Sequence, residues 1–409
     1  MASKAVSPHR ICVLNSLWIR SLELNPIAML LGPHQTFIHA SLSFFTHRTI
    51  MATKYRFKAW RYPPNQSTWE GPQILELRDV EIDPPGKGQA LVKMYAVSLN
   101  YSRELVVARN KHPGGTLTQG SDGGGLIPCS DGAGQIVAVG EEVHSWKIGD
   151  RVHSLLYEGW PGGPVGPANF EGMVGSHVQG CLTQYRIFPE EFMMPIPPHL
   201  SYEEASILPC AGVTLAASTH FPLPPNSTVL VQGSGGVSVL AAMLSKASGA
   251  RVIATTSSHD KTEKYKRVGV DDVINYRDIP EWGDKVKELT GEKGVDLVLD
   301  MGGQGSICQS LNCVKQAGKV CLVGLLPSGE TGASLGEVTN QILFKQVTVV
   351  GILGGSKEES QSLNAFLESQ KVELKSVIDE RVFEWSEAVE AHEYLASGKH
   401  FGKVVIRVE

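Results

Sequence analysis

Between residues 229 and 353 the chain alternates short apolar runs with amphipathic stretches. Val229-Leu-Val-Gln232 is the first run, followed by glycines at 233, 235 and 236. Val237, Leu240, Ala241 and Leu244 then recur at helical spacing, which predicts a helix to about residue 248 with Gly249 as its stop. Arg251-Val-Ile-Ala254 reads as a second strand. Four more β-like runs follow at 272–276, 295–301, 319–325 and 347–353. Helix-compatible stretches separate them, among them 282–290 and 306–316. Strands alternating with helices imply a parallel sheet with right-handed crossovers. The pattern differs on either side. Residues 54–198 are rich in strands and turns, with strands expected at 90–97 and 134–140, a turn at 147–152 entering another, and an irregular Gly/Pro loop at 159–175. After the parallel sheet come a helix at 386–397, Gly398 as its stop and a last strand at 403–408, which is expected to return to the first domain.

The glycine segment carries the first chemical signal. A strand that ends in a glycine turn and opens a helix presents free N–H groups and the positive end of the helix dipole, both suited to a pyrophosphate. Alone the triplet is weak, because it reads G-x-G-x-x-S, with Ser238 where glycine or alanine is usual. The alternating elements around it favour a Rossmann sheet over an ordinary glycine turn. Ser238 is expected to be tolerated as a small helix-facing residue.

Composition narrows the class. At 409 residues two domains are the natural expectation, and 42% apolar with 19% charged residues describes a globular chain. The net charge of −5 gives no reason to expect nucleic acid. The seven cysteines show no C-x-x-C and no regular spacing, so a disulfide framework is not expected. No membrane span is expected either, because the apolar run at 11–31 is broken by Arg20, Glu23 and Pro26. Residues 1–50 are basic, Ser-containing and nearly free of acid. They read either as an upstream extension before a start at Met51, with a cytoplasmic protein, or as a mitochondrial transit peptide.

Several motifs in order resemble the medium-chain dehydrogenase/reductase superfamily. They are Ala96-Val-Ser-Leu-Asn-Tyr101, Ser130-Asp-Gly-Ala-Gly-Gln-Ile-Val-Ala-Val-Gly140, Lys147-Ile-Gly-Asp-Arg-Val152, Leu208-Pro-Cys-Ala-Gly-Val-Thr214, the glycine turn, and His400-Phe-Gly-Lys-Val-Val405. The resemblance covers about residues 54–409. It implies an α/β architecture: a β-rich GroES-like catalytic domain (53–200 plus 349–409) and a doubly wound Rossmann domain (201–348), behind an N-terminal extension (1–52). The cofactor would lie in the cleft between the domains. Pairing of the sixth strand across a two-fold axis would give a homodimer.

Zinc alcohol dehydrogenases of this superfamily hold catalytic zinc with Cys, His and Cys. Asn100, Ser130 and Cys210 stand at the matching positions, so two ligands are replaced and no zinc is expected. No cysteine lies between 129 and 181, so the structural zinc lobe is absent too. A different site from Cys129, Asp131 and Cys210 is chemically open, against the plainer reading of Cys210 as a small buried side chain. The pattern resembles the zinc-free quinone oxidoreductase branch, which implies a conjugated substrate such as a quinone or enone; a ketone or aldehyde stays open, and Trp160 and Phe170 point to an apolar compound. Asn100 and Tyr101 match the motif facing the nicotinamide there. Asn100 is read as a polar orienter and Tyr101 as a donor, or alternatively as a packed aromatic. NADPH is expected over NADH. Thr256 and Ser257 stand where NAD enzymes place a carboxylate on the ribose, while Lys261 and Tyr276 lie near the 2′-phosphate. The family pattern implies that Gly233, Gly235, Gly236 and Val237 form the pyrophosphate turn, that Thr214 approaches the nicotinamide and Gly324 its ribose, and that the 351–355 turn flanks it. Lys403 is a candidate cofactor contact or a surface residue. Asp260 is expected to cap the helix after the second strand. The substrate pocket would involve Asn100, the 157–170 loop with Trp160 and Phe170, and the 324–329 loop. A zinc-type alcohol dehydrogenase and a non-catalytic NADPH-binding protein are the competing readings.

Overall fold

The structure is a computed structural model that describes residues 54–409, apart from 113, 114, 118, 121, 220 and 325–333. The N-terminal extension and most of the 324–329 loop therefore lie outside the described residues. The described residues belong to one compact unit, Ala52–Glu409.

The first half is an antiparallel β assembly. Strands β1 (Tyr55–Arg61) and β2 (Glu76–Ile82) form a hairpin-like pair. β3 (Gln89–Ser98), β4 (Asp131–Val139), β5 (Arg151–Ser154), β6 (Tyr185–Pro189) and β7 (Met193–Pro195) build the GroES-like sheet. β3 is its centre. β4 lies along one side of β3, and β6 pairs with the first half of the other side.

The second half is a parallel sheet. β8 (Thr228–Gln232), β9 (Arg251–Thr256), β10 (Asp272–Asn275), β11 (Val295–Asp300), β12 (Val314–Leu322) and β13 (Thr348–Gly351) lie in the order β10-β9-β8-β11-β12-β13. All of their pairings are parallel. The order reverses beside β8, which is where a doubly wound sheet binds its ligand. The helix Gly236–Ala247 buries Leu240, Ala241 and Leu244 completely against this sheet, while Val237 is only partly covered. Gly249 follows it at φ +81°, the left-handed stop the sequence implies.

The chain then returns. β14 (Val405–Arg407) pairs with Ala96–Ser98 of β3, in the half that β6 leaves open. The C-terminal segment thereby completes the GroES-like sheet. The sequence division at 348/349 falls inside β13, whose residues stay with the parallel sheet through β12.

Local differences have physical causes. β12 opens at Val314, inside the expected helix 306–316, because Val314 pairs with Val295 before a turn at Ala317 (φ +54°). The continuous ladder then starts at Lys319, as expected. The C-terminal helix starts at Ala388, after a single 3₁₀ turn at Trp385–Glu387. Ser258, not Asp260, is the N-cap of the helix His259–Arg267, and Asp260 lies in its first turn.

Candidate active site

The glycine turn is shaped as a cradle. Gly233 has φ +77°, and a Cβ built on Gly233 or Gly235 meets nothing within 4 Å. Open space above a helix N-terminus is what a pyrophosphate needs. Ser238, the departure from the glycine pattern, is buried and its hydroxyl donates to the Gln232 carbonyl at 2.6 Å. It closes the turn from behind, which neither glycine nor alanine could do. Tyr265 adds a second brace, donating to the Gly233 carbonyl at 2.6 Å.

The C-terminal segment is docked onto this turn. Gly402 N–H donates to the Ser234 carbonyl at 2.9 Å, and Gly402 bridges to Gly235. This places Lys403 against the helix start: a Cβ on Gly236 would stand 2.2 Å from Lys403 Cδ. Lys403 is only 2% exposed, so its reading as a surface residue is wrong. Sequence spacing could not show this, since the burial comes from the docking of the segment before β14 on the distant glycine turn. Its ammonium donates to Asn100 Oδ1 at 2.6 Å and to Asp131 Oδ2 at 3.1 Å. Asp131 in turn accepts from Ser130 Oγ at 2.6 Å and from Ser98 Oγ at 3.3 Å, and Asn100 Nδ2 faces Ser130 Oγ at 3.4 Å. Asn100 and Ser130 are thus brought together, with a lysine cation between Asn100 and the carboxylate beside Ser130.

Cys210 lies nearby in a π-helical segment, Leu208–Gly212. Such segments recur at functional sites. Burial pushes its thiol up to about 12, so it is no thiolate at neutral pH. Tyr101 begins the helix Tyr101–Val107 and is 40% exposed, its ring 6.4 Å from that of His400. Thr214 is buried, and its hydroxyl donates to the Cys210 carbonyl at 2.7 Å. At Gly324 a Cβ would meet the Met301 carbonyl at 2.3 Å, so only glycine fits where β12 ends beside β11.

The adenosine end is less complete. Thr256 ends β9, buried, with a hydroxyl that finds no partner. Ser257 follows it, half-buried. Tyr276 is 40% exposed and donates its backbone N–H to the Thr256 carbonyl at 2.9 Å. The Lys261 ammonium donates to the Gly398 carbonyl at 2.8 Å, so it is already engaged by the C-terminal segment. Gly351 ends β13, and a Cβ on Gly355 would press on Val213 Cγ2 at 2.7 Å, so the 351–355 turn packs on the helix that carries Thr214. In the 157–170 loop, Trp160 and Phe170 meet Tyr157 edge-on at 5.5 and 5.9 Å, which makes them packing partners of one another's neighbour.

Sequence reasoning missed three residues. Asp131 was weighed only as a metal ligand, whereas it is the buried counter-ion of Lys403. His400, a member of a recognised motif, is 5% exposed with an unpartnered Nδ1. His153 is a buried residue of β5, and its Nε2 accepts from Asn364 Nδ2 at 3.1 Å. Burial lowers His153 and His400 to about 4, with the Lys261 and Lys403 charges adding to the effect at His400. A lowered histidine pKa means the unfolded chain takes up protons first. Stability from these two residues is therefore full above about 6.5 and lost as pH falls toward 4. Each unit corresponds to ~1.4 kcal/mol. The urea midpoint is expected to drop steeply between pH 6.5 and 4. His153→Gln should flatten that slope, and an unchanged slope would contradict the assignment.

Comparisons with known proteins agree with this arrangement. A family model described as an alcohol dehydrogenase GroES-like domain matches residues 86–198, and one described as a zinc-binding dehydrogenase matches residues 236–369. A zinc-type alcohol dehydrogenase-like protein of Schizosaccharomyces pombe is 33% identical over 344 residues, spanning 82% of this chain and 96% of the relative. A quinone oxidoreductase of Pseudomonas aeruginosa is 27% identical over 349 residues, spanning 83% and 97%. Among solved structures, a quinone oxidoreductase from Coxiella burnetii superposes with a TM-score of 0.64 at 25% identity, covering 87% of this chain and all of that one. The resemblance carried by the sequence motifs, the order of the parallel sheet and the full-length relatives converge, and the chain belongs to the medium-chain dehydrogenase/reductase superfamily of NAD(P)-dependent oxidoreductases.

Proposed function

We propose that this protein is an NADPH-dependent reductase that delivers hydride to a conjugated C=C or C=O bond without catalytic zinc. One observation carries the reading: the buried Lys403 ammonium lies between Asn100 and Asp131, among the residues that stand where relatives place zinc ligands. Asn100 and Ser130 are poor zinc ligands, Cys210 leaves a single thiol, and a fixed cation stands against Asn100 and Asp131.

The glycine cradle fits a dinucleotide, which when bound supplies the hydride. The chain's own part is electrostatic. Two of the three ammonium hydrogens of Lys403 go to Asn100 and Asp131, and we assign the third to the substrate oxygen on which negative charge develops. Asp131 holds the ammonium in place and Asn100 fixes its direction. Tyr101, exposed at the head of its helix, is the proton source we assign to the product. The absence of a carboxylate at Thr256 and Ser257 supports NADPH, with Tyr276 at the adjoining strand end. In this reading residues 53–200 and the C-terminal return from β14 form the catalytic domain, and the parallel sheet forms the cofactor domain. The exposed edge strand β13, with Leu343 (69% exposed) and Phe344 (76%) on the preceding helix, supports a homodimer formed along that edge.

The test is cofactor oxidation with NADPH and NADH against quinones, enones, aldehydes and ketones. NADPH turnover on quinones or enones that survives in Cys210→Ser supports the reading. Activity that needs both added zinc and Cys210 would overturn it. NADPH binding with no turnover on any class would favour a non-catalytic protein. Ser257→Asp places a carboxylate beside the 2′-phosphate and is expected to weaken NADPH roughly 10²-fold by like-charge repulsion, with NADH spared. Equal loss for both cofactors would contradict the placement.

A further inference from the structure

A second set of buried groups takes no part in the hydride chemistry. Glu104 comes from the helix Tyr101–Val107, Cys129 from the segment entering β4, and His392 from the helix Ala388–Ala396. All three are buried, and one ligand atom from each lies within 4.8 Å of the others. Cys129 Sγ stands 3.9 Å from His392 Nε2. The other ring nitrogen, His392 Nδ1, donates to the Ala388 carbonyl at 2.7 Å, which leaves the Nε2 lone pair turned toward the sulfur. Glu104 is 1% exposed, and its Oε1 has no hydrogen-bond partner. The Tyr62 hydroxyl, equally buried and unpartnered, is close enough to both Glu104 and Cys129 to feel their charge. A buried acceptor without a partner costs about 1–3 kcal/mol, and a carboxylate oxygen of Glu104 lies within 4.8 Å of the thiol and the imidazole nitrogen.

We propose that Glu104, Cys129 and His392 bind one zinc ion, at a site separate from the Lys403 cluster. Thiolate, imidazole and carboxylate are a zinc donor set. In tetrahedral zinc an S···N edge is about 3.5 Å, from bond lengths of about 2.3 and 2.0 Å. The observed 3.9 Å needs only a small closure. The carbonyl on His392 Nδ1 is the outer contact that metal-bound histidines usually have. Charge also fits: Zn²⁺ with one thiolate and one carboxylate is neutral, as burial demands. Without metal, burial holds a proton on the Cys129 thiol, raised well above its usual value, and raises Glu104 to about 7. Metal entry therefore displaces the thiol proton, and the carboxyl proton where it is still present. The ion would join the helix that begins beside Asn100 to the helix that leads into Gly398–Lys403, and so brace both sides of the reaction site.

The experiment is zinc analysis of the full-length protein after zinc loading and dialysis, together with a Co²⁺ titration followed by absorbance. Cys129 has φ +70°, so Cys129→Gly removes the sulfur while easing the backbone. About one zinc per chain and a thiolate-to-cobalt charge-transfer band are expected. Cys129→Gly should lose the band and weaken zinc at least 10-fold, as His392→Gln should weaken zinc, while Cys210→Ser keeps both zinc and band. The wild-type titration requires no variant to fold: absence of both zinc and the cobalt band there overturns the site. Zinc that survives Cys129→Gly but is lost in Cys210→Ser overturns it as well, and would in addition place metal at the hydride site. Absence of zinc anywhere leaves the zinc-free reading of the hydride site standing, so the two failures are distinct.

Discussion

Lys403→Met should lower kcat/KM for NADPH-dependent reduction by roughly 10²–10³-fold, the scale of losing one preorganised group that stabilises transition-state charge. Methionine keeps much of the stem that lies along Gly236 and removes the ammonium, its charge and its hydrogen-bond donors together. The same change should destabilise the fold by about 3–5 kcal/mol, because Asp131, fully buried, loses its counter-ion. The double variant Lys403→Met/Asp131→Asn separates the two effects. An amide at 131 leaves no buried charge and its one oxygen can still accept from Ser130, so much of the stability should return while activity does not. Parent-like kcat in either variant would sink the electrostatic role. A rise confined to the KM for NADPH would make Lys403 a cofactor contact alone.

Gly402→Ala is the second large effect. Gly402 has φ +78°, and a Cβ there would stand 1.9 Å from the Val377 carbonyl, a backbone atom that cannot swing aside. The left-handed conformation alone costs a non-glycine residue about 1–2 kcal/mol, and the collision adds to it. The expected result is a loss of several kcal/mol, read as a lower urea midpoint. NADPH affinity should fall with it, because Gly402 N–H is the bond that docks the C-terminal segment on Ser234 of the cradle. Gly398→Ala serves as comparison: its φ is also positive, +66°, but its Cβ would meet nothing within 4 Å. It should show the strain without the collision and therefore cost less. Equal losses in the two variants would show that strain, not the contact with Val377, dominates.

The parallel sheet was legible in the sequence because its strands are continuous apolar runs and its glycine turn sits between a strand and a helix. Both are local patterns with fixed periods. The expected strands at 272–276, 295–301 and 347–353 correspond to β10, β11 and β13 within a few residues. The return of the C-terminus was also legible, since its strand follows six that already account for a doubly wound sheet. Some errors came from competition that a local pattern cannot show. Residues 314–316 read as the end of a helix until Val295 offers them a partner.

Local residue type and spacing were enough to read the fold class and a nicotinamide cofactor, and the family resemblance set Asn100 and Ser130 at expected metal-ligand positions. Only the tertiary structure decided what stands there instead. Lys403 and Asn100 are 303 positions apart, and Lys403 and Asp131 are 272 apart. Their contact exists because β14 pairs with β3 and Gly402 docks on the glycine turn. The burial that turns Lys403 into the cation held by Asn100 and Asp131, and that gathers Glu104, Cys129 and His392 into a second cluster, is a property of how strands and helices from distant parts of the chain close on one another.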